Sequence, residues 1–201
     1  LLMMIKFFFL KLNKVSALHL AALKNNIDII NFLLIQQDIK IDGNTFQGCN
    51  IITEINLPFH ITSIENSSFE KCTNLSKITI PSSVKSIGEK CFFGCTSLKE
   101  ITIPSSVIKI GGHLFQQCFK LENISLPNTI NDIGEYTFSF CCALTEVSIP
   151  NTVKSIGIYA FFGCSSLKTI VLPTSLQKID QGCFLSCSKL EDVKFEEPSQ
   201  L

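Results

Sequence analysis

Six prolines of this chain stand at a fixed interval of 23 residues. They are Pro58, Pro81, Pro104, Pro127, Pro150 and Pro173. The stretch that ends at Pro104, Leu-Lys-Glu-Ile-Thr-Ile-Pro, has close relatives at the same interval down the chain. A constant interval of this length is the signature of a repeat architecture, in which one small unit is stacked on itself. The interval therefore predicts a solenoid.

Three other columns of residues follow the same interval without a gap. The aromatic column is Phe46, Phe69, Phe92, Phe115, Phe138, Phe161 and Phe184. The thiol column is Cys49, Cys72, Cys95, Cys118, Cys141, Cys164 and Cys187. The aliphatic column is Ile41, Ile64, Ile87, Ile110, Ile133, Ile156 and Ile179. These columns predict about seven turns of 23 residues over residues 39–195.

Each column has a physical reason in the unit that contains Pro104. The alternation before this proline predicts a short strand with Ile101 and Ile103 inward and with Glu100 and Thr102 outward. Pro104 ends the strand because it lacks a backbone donor. The Phe and Cys columns, three residues apart, suit one turn of helix or 3₁₀ helix whose inner side faces the strand. Stacked strands predict a parallel sheet with a spacing of about 4.8 Å.

The repeated unit resembles a known family. It reads Leu-x-x-Ile-x-Ile-Pro-x-x-Val-x-x-Ile-Gly-x-x-x-Phe-x-x-Cys-x-x, which is similar to the BspA-type leucine-rich repeat of bacterial and protist surface and interaction proteins. The resemblance covers residues 39–195. It implies a leucine-rich-repeat coil that binds proteins, and it implies as an alternative a cell-surface antigen or adhesin.

The residues before the coil follow a helical pattern. Residues 16–22, Ser-Ala-Leu-His-Leu-Ala-Ala, resemble the ankyrin signature Thr-Pro-Leu-His-x-Ala-Ala. We expect an ankyrin-like helical pair over residues 13–38 that caps the coil, in which His19 hydrogen-bonds to the backbone. Residues 1–12 are apolar but shorter than the ~20 residues that span a bilayer, so they are interpreted as a remnant of a preceding repeat. Residues 196–201 are interpreted as a polar tail.

The remaining chemistry of the chain does not predict an active site. His19, His60 and His113 fall in different phases of the repeat, and no Gly-rich phosphate loop is present in the sequence. Seven thiols in one column cannot all pair, so we expect buried, reduced cysteines and no metal site. Lys plus Arg equals Asp plus Glu at 17 each, which gives no overall field toward nucleic acid or a membrane. We expect no catalytic residues and no cofactor.

Two surfaces are candidates for binding a partner. The outward strand positions form a polar strip that includes Glu54, Lys77, Glu100, Thr102 and Glu146. Behind the strands, His113, Tyr136 and Tyr159 lie in consecutive turns. Tyrosines are common binding anchors, so the second surface is the one where we expect the contact.

The sequence therefore favours a non-catalytic protein-protein interaction module with an unidentified protein partner. We expect a cytoplasmic location, with the cell surface as the alternative. Since the chain begins at Leu1 rather than Met, we also expect missing upstream sequence, and a second alternative is the regulatory arm of a larger enzyme.

Overall fold

The computed structural model describes residues 14–24, 26–36 and 40–195. Two helices come first, α1 over Lys14–Leu23 and α2 over Ile27–Leu34. Asn26 caps α2, because its side-chain oxygen accepts a hydrogen bond from the backbone N–H of Ile29 at 3.0 Å. The helices share one apolar core with the coil that follows, so they close its N-terminal end. Residues 1–12 and 196–201 lie outside the described residues.

The described part of the chain then contains thirteen short strands that alternate between two faces. The longer strands are β1 (Glu54–Asn56), β3 (Lys77–Thr79), β5 (Glu100–Thr102), β7 (Asn123–Ser125), β9 (Glu146–Ser148), β11 (Thr169–Leu172) and β13 (Asp192–Phe195). The shorter strands are β2 (Ser63–Ile64), β4 (Ser86–Ile87), β6 (Lys109–Ile110), β8 (Asp132–Ile133), β10 (Ser155–Ile156) and β12 (Lys178–Ile179). Each face is thus built from one strand per turn.

The strands pair in parallel, in separate ladders of two or three strands, with the register that the sequence interval requires. Glu54 lies opposite Lys77 on the longer-strand face, and Ser63 lies opposite Ser86 on the other face. Glu54 and Asp192 occupy equivalent positions six repeats apart, so the coil makes about six full turns. A bridge between Ile41 and Ile64 begins one further turn. The prediction of a parallel-sheet solenoid with 23-residue turns is confirmed.

The third side of each turn contains a single turn with the i→i+3 bonding of a 3₁₀ turn, but it does not extend into a continuous helix. Cys118 N–H does bond to the carbonyl of Phe115 at 3.0 Å, as in one tight turn. The N–H groups of His113, Phe115 and Gln117, however, each donate at 2.8 Å to carbonyls of the next turn of the coil. Because every second N–H bonds to the neighbouring turn, this backbone cannot form the unbroken series of internal hydrogen bonds of a continuous helix.

This side also carries two columns of residues with left-handed backbone. One column is Asn44, Ser67, Lys90, His113, Tyr136, Tyr159 and Gly182, and the other is Gly48, Lys71, Gly94, Gln117, Phe140, Gly163 and Ser186. A column of glycines lies two residues before the first of these columns, at Gly88, Gly111, Gly134 and Gly157. A Cβ at Gly111 would run into the backbone of Glu89, so glycine is needed there for close approach.

The core is a ladder of identical side chains. Phe115 is fully buried and stacks between Phe92 and Phe138, with ring centroids 5.6 Å away on each side. The Phe column is fully buried from Phe46 to Phe161, and Phe184 in the last turn is partly buried. Ile101 and Ile103 are buried while Glu100 and Thr102 are exposed, as predicted.

The thiols of the Cys column are hydrogen-bond donors as well as core residues. Cys72 Sγ donates to the carbonyl of Phe46 at 2.9 Å, and Cys118 Sγ donates to that of Phe92 at 3.1 Å. The column is buried from Cys49 to Cys164, while Cys187 is half-buried. Burial, helped by the neighbouring Cys49, raises the pKa of Cys72 from 9.0 to about 12.

The Phe ladder makes a first prediction. Phe115→Ala leaves a cavity between two stacked rings, so the free energy of unfolding should fall by about 3 to 5 kcal/mol in urea melts. Phe119→Ala is the matched control, because the Phe119 side chain is 44% exposed. A loss below about 1 kcal/mol for Phe115→Ala, the usual surface range, would contradict the packing.

The thiol ladder makes a second prediction. The folded chain keeps the Cys72 proton at a pH where the unfolded chain has released it, because the pKa is raised from 9.0 to about 12. The stabilisation is therefore complete below pH 9.0 and is lost as the pH rises toward 12. In urea melts above pH 9.0, the free energy of unfolding should fall with rising pH less steeply for Cys72→Ala than for the unmodified chain. The difference between the two slopes should be about 1.4 kcal/mol per pH unit. Equal slopes for the unmodified chain and for Cys72→Ala would contradict the raised pKa of Cys72.

Candidate functional site

The outward side chains of the longer strands line a groove, here called the strand groove. Its cavity volume is about 780 Å³. The outward residues that line it are Lys77, Thr79, Glu100, Thr102, Asn123, Ser125, Glu146, Ser148, Thr169 and Val171. They come from β3 to β11, so the groove extends across five turns of the coil.

The carboxylates of the strand groove lie in one column and on alternate turns. Glu54, Glu100 and Glu146 are exposed, and in the described part of the chain none of them forms an ion pair. Asp192, the next member at this spacing, contacts Lys194 at 3.2 Å. Lys77 lies between Glu54 and Glu100 in the same column. The groove therefore presents two free carboxylates, Glu100 and Glu146, and one amine to a ligand, while Glu54 lies on the same face one turn beyond the groove.

The hydroxyls of the strand groove differ in their hydrogen bonding from a second column of hydroxyls elsewhere in the coil. In that second column, Ser83 and Ser106 each donate at 2.7 Å to a carbonyl of the preceding turn. The hydroxyls of the groove are those of Thr79, Thr102, Ser125, Ser148 and Thr169. No side-chain hydrogen bond within the described residues involves any of them. These groups face the cavity with both their donor and acceptor capacity available.

The aromatic edge, defined by His113, Tyr136 and Tyr159, lies on the third side of the turns. The ring centroids are 4.9 Å apart for the first pair and 5.3 Å apart for the second. His113 Nδ1 lies 2.7 Å from Oε1 of Gln116, and its Nε2 lies 3.3 Å from Oε1 of Glu135. Both ring nitrogens of His113 are thus already in contact with the chain itself.

The ring faces of the aromatic edge pack against other residues of the coil. Tyr136 stacks on His113 and packs against Tyr159 with a tilt of 31° between the rings. The Tyr159 ring occupies the space of a Cβ at Gly182. The stack is continued by Phe162, which meets Tyr159 edge-on at 5.5 Å and Phe140 at 4.9 Å. The edge therefore stabilises the packing between turns and offers mainly ring rims to solvent.

All eight sequence-predicted site residues fall on one of these two surfaces. Glu54, Lys77, Glu100, Thr102 and Glu146 lie on the strand face, and all of them except Glu54 line the cavity. His113, Tyr136 and Tyr159 are in mutual contact on the other side. The sequence reasoning did not select Thr79, Ser125 and Ser148 as site residues, although they share the column of Thr102.

The described residues contain no group of three or more His, Cys, Asp or Glu that is placed to hold a metal ion. Within the same part of the chain, no helix is long and apolar enough to cross a membrane.

Comparison with family models decides what this coil is. The model of the BspA type leucine rich repeat region matches in six copies, over residues 17–141 and 109–200. The chain belongs to the BspA-type leucine-rich-repeat family. A comparison with curated proteins found no match.

Several solved structures of leucine-rich repeat proteins are similar to this chain. The leucine rich repeat protein of T. pallidum is 27% identical with a TM-score of 0.64, and the match covers 76% of this chain and 82% of that protein. A leucine-rich repeat protein from Eubacterium ventriosum is 29% identical with a TM-score of 0.59, covering 74% of this chain and 45% of that protein. A leucine rich cell surface protein from Faecalibacterium prausnitzii is 21% identical with a TM-score of 0.39, covering 79% of this chain and 63% of that protein.

These comparisons leave two expectations without support. The two helices before the BspA-type coil are present, but their ankyrin relationship stays a prediction, and the described residues show no hydrogen bond of the His19 side chain. The expected cytoplasmic location gains no support either. The similar proteins include a cell-surface protein, but with a TM-score of 0.39 that likeness carries no argument about the location of this chain.

The contact between Tyr159 and Gly182 makes a third prediction. Gly182 has a φ of 68°, and a side chain there would meet the Tyr159 ring. Gly182→Ala should therefore combine a left-handed backbone penalty of about 1 kcal/mol with a further steric cost of about 1 to 3 kcal/mol. In a Tyr159→Ala background, urea melts should show only the backbone penalty. The same cost for Gly182→Ala in both backgrounds would contradict the contact.

Proposed function

We propose that the chain is a non-catalytic protein-binding module whose partner lies in the strand groove. The family supports a repeat protein for protein interaction. The observation that carries the choice of surface is the set of unpaired hydroxyls and carboxylates around a cavity of about 780 Å³. Polar groups that have no internal partner are available to pair with a ligand at no loss to the fold.

The aromatic edge is the competing surface, and it offers the only two tyrosines of the chain. Tyrosines concentrate binding energy when their rings are free to enter a partner's pocket. In this edge the ring faces already pack on His113, on each other and on Gly182. This internal packing favours the strand groove over the edge as the main contact.

A non-catalytic role agrees with the family, whose members are generally binding modules. The chain spans 45% to 82% of the length of the similar proteins described above. Display as a surface antigen or adhesin is a second proposal, in which the same groove meets a partner outside the cell. Antibody labelling of intact source cells distinguishes the two locations.

The groove proposal makes a fourth prediction. The immobilised chain should capture a partner from its source cells, and the affinity of that partner is then measured for two variants. Thr102→Tyr plus Ser125→Tyr adds neutral bulk to exposed positions of the groove and should weaken binding by at least about tenfold. Tyr136→Ala plus Tyr159→Ala should change it by less than about twofold.

Thermal melts of both variants control for folding. The reverse pattern, with the edge pair losing about tenfold and the groove pair unchanged, would assign the partner to the aromatic edge and overturn the groove proposal.

A further inference from the structure

The two ends of the coil differ in how the stacked columns finish. At the N-terminal end, Phe46 is fully buried, and the thiol of Cys49 donates to the carbonyl of Ala22 in α1 at 3.6 Å. At the C-terminal end, Phe184 stacks on Phe161 at 5.7 Å and is only partly buried. The helices thus cover the first turn, whereas in the described part of the chain no element follows β13 to cover the last one.

The last turn exposes side chains at positions that are interior elsewhere in the coil. Ile156, Ile170 and Leu172 are buried in the turn before it. Their equivalents at the end of the coil, together with one neighbour, are 43% to 64% exposed, and these four residues define the terminal face: Ile179, Leu185, Val193 and Phe195. A group of exposed apolar side chains at one end of a molecule is typical of a contact surface.

The backbone of β13 is also unpaired on one side. Among the described strands, β13 lies at the end of its sheet and pairs with β11 alone. Leu57, Ile103 and Ile149 each donate the backbone N–H to a carbonyl of the next turn, at 3.0 to 3.2 Å. Phe195 is their equivalent at the repeat interval, and Val193 points the same way because a strand has a period of two. The free edge of β13 is therefore a template for another strand.

The charges of β13 identify the strand that fits this edge. Asp192 and Lys194 flank Val193, are exposed, and contact each other at 3.2 Å. When two copies of β13 run antiparallel with their Val193 residues opposite each other, Asp192 of each copy lies opposite Lys194 of the other. Opposite charges in such cross-strand pairs stabilise the pairing. A second copy supplies this match by symmetry, since a twofold contact brings the same patch together from both chains.

We infer that the terminal face binds a second copy of this chain, in a twofold dimer whose β13 strands pair antiparallel about Val193. In this register the free N–H and C=O groups of Val193 bond to those of its equivalent. The apolar side chains of both terminal faces are covered in the same contact. The twofold axis is perpendicular to the sheet, so both strand grooves face the same side of the dimer. The dimer goes beyond the proposed function and does not depend on it.

The test is sedimentation equilibrium of the whole chain. Over chain concentrations of about 1 to 300 µM, the mass should rise from that of one chain toward twice that value. Asp192→Lys places lysines opposite each other across the twofold axis, and Lys194→Asp does the same with aspartates. Each variant should weaken the dimer by at least about tenfold, because both cross-strand pairs become repulsive.

Glu89→Lys is the matched control. It makes the same change in net charge as Asp192→Lys at an exposed residue in an earlier turn, and it should change the dissociation constant by less than about twofold. Thermal melts of all variants control for folding.

Mixing the two single variants tests the register itself. In a mixed dimer the two lysines of one chain lie opposite the two aspartates of the other, so association should return to within about threefold of the unmodified chain. Loss of the ion pair inside each chain cannot produce this recovery, since mixing does not restore that pair. The double variant Asp192→Lys plus Lys194→Asp should dimerise by itself for the same reason.

Three outcomes overturn the inference. A chain that stays monomeric over the whole concentration range leaves the terminal face to a different protein or to a further segment of chain. A dimer that both single variants leave unchanged uses another surface. A dimer that the single variants weaken but that mixing does not restore is not paired about Val193.

Discussion

The structure depends on one constraint, the parallel register of 23 residues between successive turns. Because Glu54 pairs with Lys77 and Ser63 with Ser86, every side chain lies directly over its equivalent in the next turn. Stacked Phe rings and thiols that donate to carbonyls of the preceding turn follow from this register. The same register converts the sequence of each surface column into a line of chemical groups, one per turn.

The inward columns were predictable because their physical requirements are the same in every turn. A Phe or an Ile at 23-residue intervals has one explanation, burial, and the structure places Phe115 and Ile101 accordingly. The third side of the turn was predicted less well. A three-residue spacing between Phe115 and Cys118 fits both a helical turn and a single tight turn, and the sequence does not show that the backbone donors of this side bond to the next turn.

The candidate site shows a similar limit. The sequence placed Glu100 and Thr102 on the surface, and it assigned His113, Tyr136 and Tyr159 to one edge. It did not show that the ring faces of these three residues are used in stacking, because the orientation of a ring is set by contacts such as that of Tyr159 with Gly182. It also did not show which hydroxyls are already hydrogen-bonded inside the coil. Ser106 and Thr102 are both hydroxyl residues outside the inward columns, and the sequence does not indicate which of them has a partner.

The two left-handed columns have a consequence for the evolution of the coil. Seven turns impose a positive φ at both positions whatever residue stands there, and Lys71, Lys90 and Gln117 accept it without the freedom of glycine. Each such residue costs about 1 kcal/mol relative to a glycine in the same conformation, so the chain lies below the stability that its own fold allows. This side of the coil therefore holds a reserve, and replacement by glycine or asparagine at those positions offers compensation for destabilising changes that alter the strand groove.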